Sequence, residues 1–262
     1  MRLFARSLVL MGLLGLTFAE SAYADKIVLA NDEWQTSDFG FSQTPAGSTQ
    51  FALNVANFFT GGSAGDFLVV SGNFSLTGSS FASTLTGAGH TLVNSSSIAG
   101  FTFDVATLSA YDGVFLALPP TVDQSVLTDY VNSGGNVYIN GGTGVGGPVF
   151  EAAAWNTFLN AFGLNFASTY NGIGGNIPIS SSHAVLAGVS SLYQNNGNTI
   201  NLVGGNPNAQ IIQSSSSGAG LYAVYDNSVV SVPEPSSALF VTSAMAGLLT
   251  LRRRGRRQGA IR

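Results

Sequence analysis

The chain has 262 residues, 45% of them apolar and only 8% charged, with no cysteine, so it can bury a full core but forms no disulfide, thiolate nucleophile or zinc–thiolate site. No lysine or arginine occurs between Ile27 and Leu251, and residues 25–231 hold eleven acidic residues against the single cation Lys26, a net −10 that the whole-chain −4 conceals. Such a body is unsuited to nucleic acid or nucleotide phosphates, whose binding rests largely on Lys and Arg.

Residues 1–24 have the three parts of a signal peptide. Arg2 and Arg6 precede an apolar run at 7–19, and Ala22-Tyr23-Ala24 puts small residues at the two positions a signal peptidase reads. Cleavage after Ala24 by signal peptidase is expected, and with it export.

The body then alternates apolar runs with segments of helical length. Residues 26–30 (KIVLA) predict a first strand. Residues 48–60, with Phe51, Leu53, Val55, Phe58 and Phe59, predict a helix stopped by Gly61-Gly62. Strands are expected at 67–70 and 90–93, with a short helix at 81–85 between them. Residues 113–118 (GVFLAL) read as the most buried strand, terminated by Pro119-Pro120. A helix over 122–131, a strand over 136–140 (NVYIN), a glycine-rich turn over 141–147 and a helix over 148–162 follow, the last with Pro148 in its first turn. Later strands are predicted at 199–203, 209–213 and 221–225. Strands separated by helices predict one α/β domain over 25–231, with a mostly parallel sheet and helices on both faces.

The stretch Tyr111-Asp112-Gly113-Val114-Phe115-Leu116, then 127–139 with its helix, Gly134-Gly135 and strand, resembles the class I glutamine amidotransferase-like, flavodoxin-like fold. Residues 182–189 (SHAVLAGV) resemble a segment of its non-catalytic relatives. In catalytic members a cysteine sits on the turn after the strand corresponding to 136–140. Gly141-Gly142-Thr143-Gly144 stands there in this chain, so the resemblance implies a scaffold without covalent amidotransferase chemistry.

Candidate chemistry is sparse. Asp32-Glu33-Trp34 follows the first strand at its C-terminal end, where open α/β sheets place ligands. Asp32, Glu151 and His183 are the candidate catalytic residues, and each has a plainer account. Glu151 suits the first turn of its helix, where a carboxylate meets the positive end of the dipole. A lone histidine, His90 or His183, is ordinarily a hydrogen-bonded structural residue. Gly142, Gly144 and Gly147 match G-x-G-x-x-G, but no acidic residue follows about twenty positions on, so a tight turn is the expected use. No H-x-x-x-H, H-E-x-x-H or D-x-D-x-D-G spacing exists, and neither metal nor cofactor is expected. The sequons at Asn73 and Asn94 read as chance in a Ser- and Asn-rich chain.

The end of the chain carries a second pattern. Val232-Pro233-Glu234-Pro235 stiffens the backbone into an exposed, extended stretch. Residues 236–251 are uncharged, about 24 Å as a helix and therefore short for a membrane core of about 30 Å. Five arginines stand within 252–257, which favours a cytoplasmic end. This resembles a PEP-CTERM sorting signal. The resemblance implies an inner-membrane-tethered precursor, processing by an exosortase near Pro233, Glu234 and Pro235, and a mature protein at the cell surface or outside the cell, in bacteria that make exopolysaccharide. The chain would then divide into a signal peptide (1–24), the body (25–231), the sorting signal (232–257) and a tail (258–262).

Two functional readings remain open. One is a non-enzymatic surface or matrix protein associated with exopolysaccharide, with Trp34, Trp155 and Tyr170 as sugar-stacking aromatics, although Trp155 on its helix fits the core. The other is an exported hydrolase using Asp32, Glu151 and His183. A scaffold for partner proteins is a third, weaker reading. Intact-mass and terminal-peptide spectrometry of cell-surface and medium fractions should find Asp25 as the first residue and a C-terminus close to Pro233–Pro235; a chain unprocessed at both ends inside the cell would contradict the assignment.

Overall fold

The computed structural model describes residues 25–117 and 123–230. The expected cleavage at Ala24, residues 118–122, and the elements Pro233, Glu234, Pro235, 236–251 and the arginine cluster lie outside the described residues. The elements are β1 (Lys26–Ala30), α1 (Asp38–Gln43), α2 (Pro45–Thr60), β2 (Asp66–Val70), α3 (Phe74–Thr77), α4 (Ser79–Gly87), β3 (Thr91–Asn94), α5 (Val105–Leu108), β4 (Gly113–Ala117), α6 (Gln124–Asn132), β5 (Asn136–Asn140), α7 (Gly147–Ala161), β6 (Leu164–Tyr170), β7 (Gly174–Pro178), β8 (Ser191–Asn195), β9 (Asn198–Leu202), β10 (Ala209–Ser214) and β11 (Gly220–Asp226).

The fold is α/β, with a mixed, mostly parallel central sheet. Its main path runs β3-β2-β4-β5-β1-β11-β9-β6, with β10 on β11. The ladders β3-β2, β2-β4, β4-β5 and β5-β1 are parallel. From β1 onward the pairing is antiparallel. β9 meets β11 only at Gly220, just beyond Tyr222, the last β11 residue that β1 pairs. It thus takes over the lane β1 leaves, and the Asn198 N–H donates to Asn31 O at 2.9 Å.

Burial on both faces explains the apolar strands. β4 and β5 are buried throughout. Along β1, Ile27 and Leu29 point into one core with α5, α6 and α7, while Val28 and Ala30 point into a second core with α1 to α4, the period-2 alternation of a strand. Phe51, Ala52, Val55, Ala56 and Phe59 are the buried apolar stripe of α2. Pro45 stands in its first turn, and Gly61, left-handed at φ 65°, ends it.

The expected helices and strands recur with small shifts of their bounds. The helix expected from 122 begins at Gln124, because Asp123 caps it by accepting from Ser125 N at 2.9 Å. The helix expected from 48 starts at Pro45. Asn73 and Asn94, the two sequon asparagines, cap α3 and the 3-10 turn Ser95–Ser97. β6, β7 and β8 have no counterpart in the sequence reading. β7 alternates without one buried side chain, and β8 buries Gln194 beside Leu192, so neither carries a hydrophobic period.

Phe115, 1% exposed, is the hub of the second core. Its ring meets Phe67 and Phe81 at 5.4 Å each, Tyr138 at 5.2 Å and Phe59 at 6.1 Å. Phe115→Ala is expected to cost about 3–5 kcal/mol, read as a lowered midpoint in urea denaturation.

Candidate functional site

Parallel strands bring their C-terminal ends to one ridge, and β1 delivers Asn31, Asp32 and Glu33 there. Asp32 Oδ1 accepts from Trp34 N at 2.7 Å and Oδ2 from Asn195 N at 2.6 Å. One carboxylate thus holds both the 3-10 turn Trp34–Thr36 and the end of β8. Glu33 Oε2 accepts from Asn73 Nδ2, and Asn73 caps α3. Glu151, on α7, turns back onto the glycine turn after β5. It accepts from Gly142 N at 3.1 Å, Thr143 N at 3.1 Å and Thr143 Oγ1 at 2.8 Å. Gly142 adopts φ +67° with Asn31 O and Asp32 Cα packed against it, so a side chain there would collide with backbone. The G-x-G-x-x-G match is therefore a tight turn pinned by a carboxylate.

Behind the acids lies a neutral network. Asn140, the last residue of β5, accepts from Gln35 Nε2 at 2.8 Å and from the Tyr138 hydroxyl. It donates to Thr36 Oγ1 at 2.9 Å and Ser75 Oγ at 3.2 Å. β5, the 3-10 turn and α3 are tied together through this one side chain.

Asp32, Glu33 and Glu151 are all buried. Burial pushes Asp32 up to about 7, against the pull of the Trp34 and Asn195 N–H groups, and the Glu151 charge adds to the rise. Burial also raises Glu33 to about 7; the Asn73 amide opposes this, while the Asp32 and Glu151 charges reinforce it. Glu151 is raised by burial against the donors of Thr143 and Gly142. The three acids are thus electrostatically coupled, but no group of three or more His, Asp or Glu among the described residues is arranged to hold a metal.

His183 does not join them. Its Nδ1 accepts from Val185 N at 3.2 Å, and its ring meets Phe58 at 5.6 Å. Phe58 O accepts from Lys26 Nζ at 2.7 Å, so His183 lies by the start of β1. Asp32 stands six residues after Lys26, past that strand's far end, about 20 Å along the extended chain. Burial lowers the His183 pKa, with Asp226 opposing. The grouping of Asp32, Glu151 and His183 is thereby corrected: the first two converge, and the histidine caps the 3-10 turn Ala184–Leu186. His90 likewise accepts from Gly65 N at 3.1 Å.

The structure places Thr143 Oγ against a carboxylate, which the sequence reading did not anticipate. The same hydroxyl–carboxylate pairing occurs at Thr102–Asp104 and Ser125–Asp123, where it closes turns. Those pairs lie two residues apart within one turn, whereas Thr143 and Glu151, eight apart, tie the glycine turn to α7.

The ridge also carries an aromatic cluster, half-buried at Trp34 and Tyr193 and exposed at Phe39 and Phe74. Trp34 contacts Phe74 at 5.1 Å, Phe39 at 5.7 Å and Tyr193 at 6.2 Å, and Phe39 meets Tyr193 at 5.0 Å. Phe39 and Phe74 are each 46% exposed. With Asp38, Thr77 and Gly78 they line a groove of about 400 Å³. A second groove, of about 420 Å³, lies at the C-terminal ends of β2 and β3 and shares Thr77; Ser71, Asn94, Ser95, Ser96 and Phe101 line it. Of the other aromatics considered, Trp155 is fully buried in the first core, and Tyr170 is half-buried within reach of the Glu151 charge. Phe39, Phe74 and Tyr193 had no sequence signal, being drawn together from positions far apart in the chain. A third cleft, of about 260 Å³ beside Tyr111, Asp112, Tyr130 and Asn136, opens at the opposite ends of β4 and β5.

Between the ordinary carboxylate range and about pH 7, the folded state keeps protons on Asp32 and Glu33 that the unfolded chain has released. These groups therefore make stability fall as pH rises through that window and level off above it. Glu33→Gln keeps an acceptor for Asn73 and removes one of them. Urea midpoints at about pH 5 and about pH 8 should differ less for this variant than for the wild type. Comparison with protein-family models, with curated proteins and with solved structures returns no match.

Proposed function

We propose that the chain is the precursor of an exported, exosortase-sorted surface or matrix protein, and that its body is non-catalytic and associates with extracellular polysaccharide. Export and sorting rest on the resemblance of 1–24 to a signal peptide and of 232–257 to a PEP-CTERM signal. The association rests on one observation, the aromatic cluster around Trp34, exposed at Phe39 and Phe74, in a groove that adjoins a second one lined with hydroxyl and amide groups.

The strand order supports a flavodoxin-like reading of the body in a specific sense. The five parallel strands lie in the order 3-2-4-5-1. Counting from β2, with β1 taken last, this becomes 2-1-3-4-5, the flavodoxin-like order. The body reads as that sheet with its final strand supplied by the start of the domain. The turn after β5 is where catalytic relatives of the resembled family carry cysteine. Here it is Gly141-Gly142-Thr143-Gly144, pinned by Glu151.

The competing reading, an exported hydrolase, loses its histidine, because His183 lies about one strand length from Asp32. Its two remaining carboxylates, Asp32 and Glu151, are occupied by backbone N–H donors. An immobilised full chain should retain exopolysaccharide prepared from the producing organism and score on a glycan array; retention on neither would overturn the association.

A further inference from the structure

We infer that the two grooves along α3 form one subsite for an uncharged sugar polymer, stacked at the Trp34 end and hydrogen-bonded at the Asn94 end. This deepens the polysaccharide reading and rests on it; it adds a place and a chemical class.

A sugar ring offers an apolar C–H face and a rim of hydroxyls, and both grooves set polar groups beside apolar side chains. At one end Trp34, Phe39, Phe74 and Tyr193 touch one another at 5.0–6.2 Å. Single exposed aromatics are ordinary on a protein surface, whereas contiguous ones mark contact sites. At the other end Ser71, Asn94, Ser95 and Ser96 line the groove beside Val70 and Phe101; the Ser71 and Ser96 hydroxyls donate within the protein and can still accept, and the Asn94 amide donates one N–H to Ser71 O and has a second. Thr77 belongs to both grooves. Each groove has a volume in the range of small-ligand sites, so together they suit successive units of a chain better than one monosaccharide.

Charge selects the class of polymer. Lys26, the one cation among the described residues, is engaged with Phe58 at the opposite end of β1. The ionisable group in the aromatic groove is Asp38. The Ser80 N–H at 2.7 Å and the Ser79 N–H at 3.3 Å hold its carboxyl below the usual range, so it stays ionised. A uronate or sulfate passing this groove meets a carboxylate and no cation. Bridging by a divalent metal has no three-acid cluster among the described residues to support it. A polymer without charge incurs no such repulsion.

The test uses the full chain in affinity gel electrophoresis with two neutral polymers, an unsubstituted β-glucan and a galactomannan, and two anionic ones, alginate and polygalacturonate, all with EDTA. Retardation is expected by at least one neutral polymer and by neither anionic one, and unchanged in about 0.5 M NaCl, where exposed charge pairs are screened. The double variant Phe39→Ser/Phe74→Ser should bind about tenfold more weakly or worse. Phe150→Ser, equally exposed at 52% but outside the grooves, should bind as wild type. Should the double variant fail to fold, Thr77→Arg, which obstructs the shared wall, should produce the same loss. The chain has two tryptophans and Trp155 is fully buried, so neutral oligosaccharide should also shift tryptophan emission through Trp34. Neutral-polymer binding that survives both groove variants removes the subsite and leaves the polysaccharide reading standing. Retardation by the anionic polymers alone removes the uncharged class. Binding to no polymer, here or on the organism's own exopolysaccharide, removes both.

Discussion

Lys26 is the one cation among the described residues, so almost every carboxylate must be met by neutral donors. Backbone N–H groups and hydroxyls do this at the exposed turns, where Asp38, Asp104 and Asp123 each accept from the main chain of a following helix. Their pKa values are lowered accordingly, and each ionised group serves as a cap. Asp112 performs the same service between strands by accepting from Asp66 N at 2.8 Å. Asp32, Glu33 and Glu151 meet the same constraint inside the ridge. Burial there outweighs the donors, and the three are raised.

These inner acids place the aromatics. Asp32 binds the N–H of Trp34 itself and the N–H of Asn195, two residues after Tyr193 on β8. Glu33 holds Asn73, the cap of the helix that begins at Phe74. Ser37, whose hydroxyl accepts from Gly40 N at 3.0 Å, caps the helix that carries Phe39. Each of these four rings thus stands on a segment fixed by a polar contact a residue or two away. Burial raises the pKa values of these acids, and the bracing hydrogen bonds oppose the rise; both oxygens of Asp32 and both of Glu151 accept from main-chain N–H groups.

Much of the scaffold was legible because its signals are local. The runs KIVLA, GVFLA and NVYIN have no reason to be so apolar unless both faces are covered, and they became β1, β4 and β5. Glycines after 60 and within 141–147 mark the turns that end or precede helices. β6, β7 and β8 were not legible, since Asn, Ser, Gly and Pro break any period and their partners lie far along the chain. Within the site, Asp32, Glu33 and Trp34 were visible by their place after the first strand. Glu151 was visible as an acid near a helix start, although its actual task, pinning the glycine turn, depends on how α7 folds back. His183 was grouped with them by residue type alone, and the sheet put it at the other end of β1.

The order of residues by itself determined the confinement of charge to the two ends and the acids of the body, the absence of thiol chemistry, and the alternation of buried strands with capped helices. Each of these is a property of composition or of neighbours within a few positions. Only the tertiary structure decided that β1 lies beside β5, that the chain's late strands extend the sheet in the antiparallel sense, and that residues 34, 39, 74 and 193 share one surface. Those outcomes depend on which strand ends meet at the ridge, and strand order is set by packing across the whole sheet, which no local period encodes.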